Sequence, residues 1–313
     1  MEMRKLFATT IFAGATMLFL SCSQERLSTT NKSDKSESRV EVKFASGISD
    51  MPSRVGGTNG TNWDIGDPVG IYMIGASGAL TSSNVIEGAG NKKYTASGGG
   101  GGSFSPSTGN TIYYPATGDV KFVAYYPYNA SVGNDFKVPV NVTVQNNQSA
   151  IDVLYAPAGT TYNKSSGTAQ LPFSHKLVKL VFTINPGDGV TAASLNGLTL
   201  AIGGQQTSGT LDLTDGTVAS SGMSGDITAL SAANGRSSEA IVLPRSTTSG
   251  VSFTFVASGV TYEGSIPAGN TTWAGGYRYS YIVTLQNNIA SVISGTIEPW
   301  EDGDTWNITG NGI

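Results

Sequence analysis

One cysteine and one histidine occur in 313 residues. A single sulfur leaves no intrachain disulfide, so stability has to come from packed cores. One imidazole cannot build a histidine-rich metal site. A Ser-His-Asp triad would have to use His175, which has no G-x-S-x-G elbow around it. His175 stands where an apolar strand begins, and its expected role is structural and hydrogen-bonded. Charge is sparse as well: 13% of residues are charged and the net is −4, without the basic face that a nucleic-acid partner needs. After residue 20 no apolar run approaches the about 20 residues of a membrane span. Nor does any window there show a convincing 3.6-residue period.

Glycine is plentiful, at 41 residues, and 13 tyrosines, 11 phenylalanines and 4 tryptophans accompany it. Glycine, serine, threonine and asparagine supply turns and capped loops, while that many aromatics bury too much surface for a disordered chain. Period-2 segments recur at 68–74, 120–126, 138–144, 177–184, 195–202, 251–256, 277–285 and 289–297. In 138–144 the alternation is strict, and Pro139, having no N–H to donate, predicts an edge strand. In 177–184 both faces carry apolar residues, which predicts a central or covered strand. Short strands separated by turn signals predict an all-β protein built of sandwiches.

The first 21 residues read as an export signal. Arg4 and Lys5 precede the apolar run 6–20 and the small Ser21, and this order of charge, apolar stretch and small residue marks a secretory signal. Cys22 would then be the first residue after the cut, an arrangement that resembles a bacterial lipoprotein signal and makes Cys22 the candidate lipidation site. Residues 22–38 are polar and aperiodic, a flexible tether. Order is expected from residue 39, where Val40, Val42 and Phe44 alternate with Glu41 and Lys43. From Ser46 to Asn62 the sequence predicts an exposed loop containing Pro52 and Arg54. A second boundary is placed near 168, dividing an N-terminal domain of residues 39–168 from a C-terminal domain of residues 169–313 with a short tail. Five glycines at 98–102 read as a hairpin tip, since a phosphate loop would need a following helix.

Glycoside hydrolysis needs only two carboxylates, and the candidates are Asp64 with Asp67, or Glu298, Glu301, Asp302 and Asp304. Both groups lie in glycine-containing turns, where aspartate commonly caps backbone. The later group lacks the spacing of an EF-hand loop. No catalytic, metal or cofactor-binding residue is therefore assigned, and a non-enzyme is expected.

Thr61-Asn-Trp-Asp-Ile-Gly-Asp-Pro-Val-Gly-Ile-Tyr-Met73, Phe122-Val-Ala-Tyr-Tyr-Pro-Tyr128 and Asp152-Val-Leu-Tyr-Ala156 resemble the first domain of Bacteroidetes fimbrillins. Leu171-Pro-Phe-Ser-His-Lys-Leu-Val-Lys-Leu-Val-Phe-Thr-Ile184, Gly276-Tyr-Arg-Tyr-Ser-Tyr-Ile-Val-Thr-Leu285 and Ser294-Gly-Thr-Ile-Glu-Pro-Trp300 resemble the second. The resemblance implies two transthyretin-like β-sandwich domains in tandem and a subunit of type V pili, stalk or tip, at the cell surface. It implies a lipidated precursor on the outer membrane, trimmed by a protease after a basic residue and assembled with other pilus subunits by β-strand addition. Arg54 is the expected cleavage residue because a cut there detaches the strand around residues 40–45; Arg39 competes but would leave that strand in place. The tail 301–313, with Trp306 and Ile308, is a candidate donor strand. The alternative is a monomeric outer-membrane lipoprotein that binds a glycan or host protein.

Overall fold

The computed structural model describes residues 39–46, 63–97, 102–247, 249–269, 272–286 and 289–300. Cys22, Arg54, Glu301, Asp302, Asp304, Trp306 and Ile308 lie outside the described residues. The first sheet contains β1 (Phe44–Ser46), β2 (Pro68–Gly75), β3 (Lys92–Ala96), β4 (Ser103–Pro106) and β5 (Val120–Tyr126). After β6 (Lys137–Asn141), which leaves that sheet, come β7 (Leu154–Ala156), β8 (Ala169–Leu171) and β9 (Ser174–His175). The second sheet holds β10 (Val178–Pro186), β11 (Thr199–Asp212), β12 (Val218–Thr228), β13 (Leu230–Ser231) and β14 (Ser237–Val242). It continues with β15 (Val251–Ala257), β16 (Val260–Ile266), β17 (Tyr277–Gln286) and β18 (Ile289–Pro299). Helix is limited, among the described residues, to the turns Gln148–Ile151 and Ala193–Leu195.

Two curled sheets thus make the expected tandem of β-sandwiches, in the orders β8-β1-β4-β3-β2-β5-β7-β9 and β12-β11-β15-β16-β18-β17-β10-β14-β13. The pleat decides which side chains meet. Val251, Phe253 and Phe255 of β15 and Tyr279, Tyr281 and Val283 of β17 are buried, while Ser252, Val256 and Ile282 face outward. β10 is central, between β14 and β17, yet only one of its faces is closed: Leu180, Phe182 and Ile184 are buried and Thr183 is exposed. β3 and β4 pair antiparallel on either side of the glycine run.

β2 and β5 behave differently, because both of their faces are covered. Val69, Ile71, Met73, Phe122 and Ala124 join the core of the first sheet. Their neighbours Tyr72, Ile74, Val123 and Tyr125 join a second core with Phe182, Leu200, Leu211 and Phe253. Gly70 makes room for this arrangement: a Cβ there would stand 2.2 Å from Tyr125 Cε1. The phenol of Tyr125 donates to Asn91 Oδ1 at 2.8 Å and accepts from Asn129 N at 3.1 Å.

Residues 136–151 close the second core from the side of the first sheet. β6 pairs only with β11 among the described strands, as an edge strand carrying Pro139 must. Lys137 Nζ donates to Asp212 Oδ2 across that pair at 2.6 Å. Gln145 is 4% exposed and its amide donates to Ile241 O at 2.8 Å while accepting from Ile241 N at 2.8 Å. This amide thereby continues the ladder of β14 where no strand reaches. Replacing Gln145 by Leu leaves the Ile241 N–H and C=O without these partners, and about 1–3 kcal/mol of stability should be lost. The shared core predicts one cooperative calorimetric transition for residues 39–300 in the native chain, and a Gln145→Leu variant with the same single transition at lower temperature.

Candidate functional site at the N-terminal strand

Residues 40–43 lead into β1, bridging Tyr113 through Glu41, and β1 itself joins β8 to β4. In this lead Tyr114 N donates to Val40 O at 2.9 Å and Val42 N to Ile112 O at 3.0 Å. Further along, β1 runs antiparallel to β4, with Phe44 opposite Phe104, and parallel to β8, with Phe44 opposite Ala169. Ala169 N donates to Lys43 O at 2.8 Å, and Ser46 N to Gly102 O at 2.9 Å. The alternation read from the sequence holds from Val42 onward, where Val42, Phe44 and Ser46 are buried and Lys43 is exposed, but Val40 is exposed and Glu41 half-buried. Ser46 ends the strand rather than opening a loop.

The seat is aromatic. Phe44 meets Tyr94 edge-on at 5.1 Å and Phe122 at 4.8 Å, a geometry that adds to simple area burial. Tyr94 accepts from Ile112 N at 2.8 Å, and burial pushes its phenol up to about 12. Trp63 closes the far end, packing on Phe104 and Phe173 at 5.1 Å each and on Tyr126 at 5.6 Å. Gly102 lets the indole approach, since a Cβ there would lie 2.9 Å from Trp63 Cδ1. In the sequence Trp63 stands only within the block that resembles fimbrillins, and neither its role as the end wall nor the partners at 112–114 and 169–171 carry a local signal.

Arg39 sits just before the strand, its guanidinium 4.4 Å above the Tyr113 ring and 3.9 Å from Glu87 Oε2. The sequence-derived carboxylates occupy structural positions. Asp67 Oδ2 accepts from Asp64 N at 2.8 Å and closes the turn before β2. Glu298 pairs with Arg278. Asp64 and Asp67 lie in the turn before β2 and Glu298 in β18 of the second sheet, while Glu301, Asp302 and Asp304 fall outside the described residues. His175 is buried, with Nδ1 2.9 Å from Asp152 Oδ2, and its ring stacks on Trp300 at 4.2 Å. It ties β9 to the end of β18.

Comparison with known proteins gives this geometry a context. A family model described as fimbrillin-like matches residues 53–300. The chain belongs to the fimbrillin-like family. This fimbrillin-like chain is 32% identical over 307 residues to "Putative fimbrium subunit Fim1C" of Bacteroides uniformis, covering 95% of itself and 96% of that relative. It also superposes on a solved "putative cell adhesion protein" from Bacteroides uniformis with a TM-score of 0.72 and 31% identity, over 85% of this chain and 99% of the other. A second such protein, from Bacteroides ovatus, shares the fold at 21% identity and a TM-score of 0.68, over 85% and 99% of the chains. The family match begins at residue 53, beyond the seated strand.

Burial raises the Asp67 carboxyl from 3.8 to about 6, the bond from Asp64 N only partly offsetting it. The folded chain therefore holds this proton more tightly than the unfolded chain. The resulting stability is present below the unfolded value of 3.8 and is lost as pH rises through about 6. Asp67→Asn keeps an acceptor for Asp64 N and stays neutral. Its stability should exceed the parent's above that range, by on the order of 1 kcal/mol after solvent screening, read as a higher thermal midpoint, and match it near the unfolded value.

Proposed function

We propose that this chain is a structural subunit of a fimbrium, stalk or tip, made as a lipoprotein precursor and assembled by protease-triggered strand exchange for surface adhesion. In this reading residues 1–21 direct export, Cys22 carries lipid at the outer membrane, and residues 22–38 are the tether. The functional halves are 39–168 and 169–313. Fimbrillin-like membership and the fimbrium subunit of Bacteroides uniformis support the fimbrial role, and no catalytic step is assigned.

The observation that carries the mechanism is the seat of residues 40–46. A cut after Arg54 would separate this strand covalently from Trp63 and everything behind it. Its departure would leave unpaired N–H and C=O groups on residues 102–104, 112–114 and 169–171, beside an apolar slot lined by Tyr94 and Phe122. Such an edge accepts another strand. Each burial of a Val42-like or Phe44-like side chain stabilises by about 1.5–3 kcal/mol, and each restored hydrogen bond by about 1 kcal/mol. A strand from a neighbouring subunit, with residues 301–313 as its candidate source, would regain both. A cut after Arg39 would leave the seat full.

Limited trypsin treatment of the purified precursor, followed by N-terminal sequencing and electrophoresis in SDS, tests this. The expected product begins at Val55 and forms an SDS-resistant ladder. A product beginning at Val40, or a stable monomer beginning at Val55, would contradict strand exchange, the latter favouring a tethered binding module.

A further inference from the structure

β11 has two neighbours end to end on one side. Its pairing with β15 stops at Ile202 opposite Phe253, and its pairing with β6 starts at Ser208 opposite Asn141. Between them the strand is irregular, with register shifts against β12 at 202–205 and at 206–208. β-Bulges of this kind commonly re-aim side chains beside functional sites. Here they border a cavity of about 510 Å³, closed from the other side by residues 243–247, Ser249, Gly250 and Ser252. That size suits a small organic ligand.

The chemistry of the lining is selective. Gln205, Gln206, Ser220, Ser224 and Ser252 contribute amides and hydroxyls, while the Gly203 carbonyl accepts from the Gln205 amide at 2.6 Å and Gly204 N donates to Asp226 Oδ1 at 3.1 Å. Among the lining residues there is no carboxylate, no lysine and no aromatic ring, and Arg245 is the one formal charge. Arg245 is held in place. Its backbone exchanges both hydrogen bonds with Trp273, at 2.9 and 2.8 Å, and its guanidinium lies 5.9 Å from the centre of that indole. Trp273 is fixed in turn by donating to Tyr281 Oη at 2.9 Å.

The charge of Arg245 is nevertheless uncompensated. Nη2 donates to Ser249 O at 2.6 Å and Ser249 Oγ at 2.8 Å. Nε is buried and meets no acceptor, and Arg245 has no carboxylate partner among the described residues. Partial burial lowers its basicity with no neighbouring charge to oppose the effect. A half-buried cation is ordinarily paired, so this one favours an anion. A single guanidinium without lysines or a cluster of free backbone N–H groups matches a monoanion better than phosphate, and the hydroxyl-rich wall matches a polyol.

We propose that this cavity binds an acidic sugar, with its carboxylate at Arg245 and its hydroxyls against Ser220, Ser224, Ser252 and the two glutamines. The site uses no residue of the N-terminal strand seat, so it is independent of strand exchange and is read on the unassembled chain.

Ligand-observed NMR and titration calorimetry on the full chain test it, with N-acetylneuraminic acid and glucuronic acid as probes. N-acetylmannosamine and glucose are the neutral controls; sulfate and phosphate are the inorganic ones. At least one acidic sugar should bind, at least about tenfold more tightly than its neutral counterpart. Arg245→Gln should remove that preference. Ser220→Trp, at an exposed position that leaves the Arg245 contacts intact, should block the cavity and abolish binding without moving the thermal midpoint. No binding of either acid, equal binding of acidic and neutral sugars, equal binding of sulfate or phosphate, or full binding by the folded Ser220→Trp variant would each overturn the proposal.

Discussion

Tyr72 and Tyr125 point away from the core that Ile71 and Phe122 fill, and they are buried all the same. Burying β2 and β5 on both faces is the constraint on which the rest of the structure depends. It turns two central strands of the first sheet into a wall shared by two cores, and interiors packed on both sides resist collapse. Gly70 under Tyr125, the Gln145 clamp on Ile241 and the edge strand β6 all serve this closure. Phe122 in β5, Tyr94 in β3 and β4 touch the N-terminal strand, and each is also held by strand partners other than it.

That additional support gives the N-terminal strand its meaning. Its seat is held from behind by β2 and β5, at one end by Trp63, and along its sides by β4 and β8. In the proposed assembly, this strand, contributing its own ladder and two large apolar side chains, would be exchanged for another of similar pattern. Affinity would come from main-chain hydrogen bonds common to any sequence, and selectivity from the pocket under Phe44.

Much of this was legible in residue order. Alternation at 138–144 specified the strand and its buried Val138, Val140 and Val142, although Val144 is exposed, period-2 patterning at 251–256 and 277–285 specified strands, and Pro139 specified an edge. His175 was readable as a structural residue from its isolation. Other elements left no trace because their causes are not local. β12 is mostly exposed and built from alanine, serine and glycine, so it has no apolar period and is held by β11 alone. The double burial of β2 and β5 depends on side chains from distant segments. The parallel pairing of β1 with β8 joins residues more than a hundred positions apart. Arg245 lies in no motif; only the folded chain reveals that no carboxylate among the described residues pairs with it.

The central claim is that the seat survives loss of its strand and takes up a replacement. The most direct measurement is the thermal midpoint of a chain beginning at Val55, titrated with a synthetic peptide of residues 39–46. The account predicts a midpoint below that of the precursor, restored saturably by the peptide and not by the same peptide carrying Phe44→Ala. A chain beginning at Val55 that is as stable as the precursor and indifferent to the peptide would contradict it.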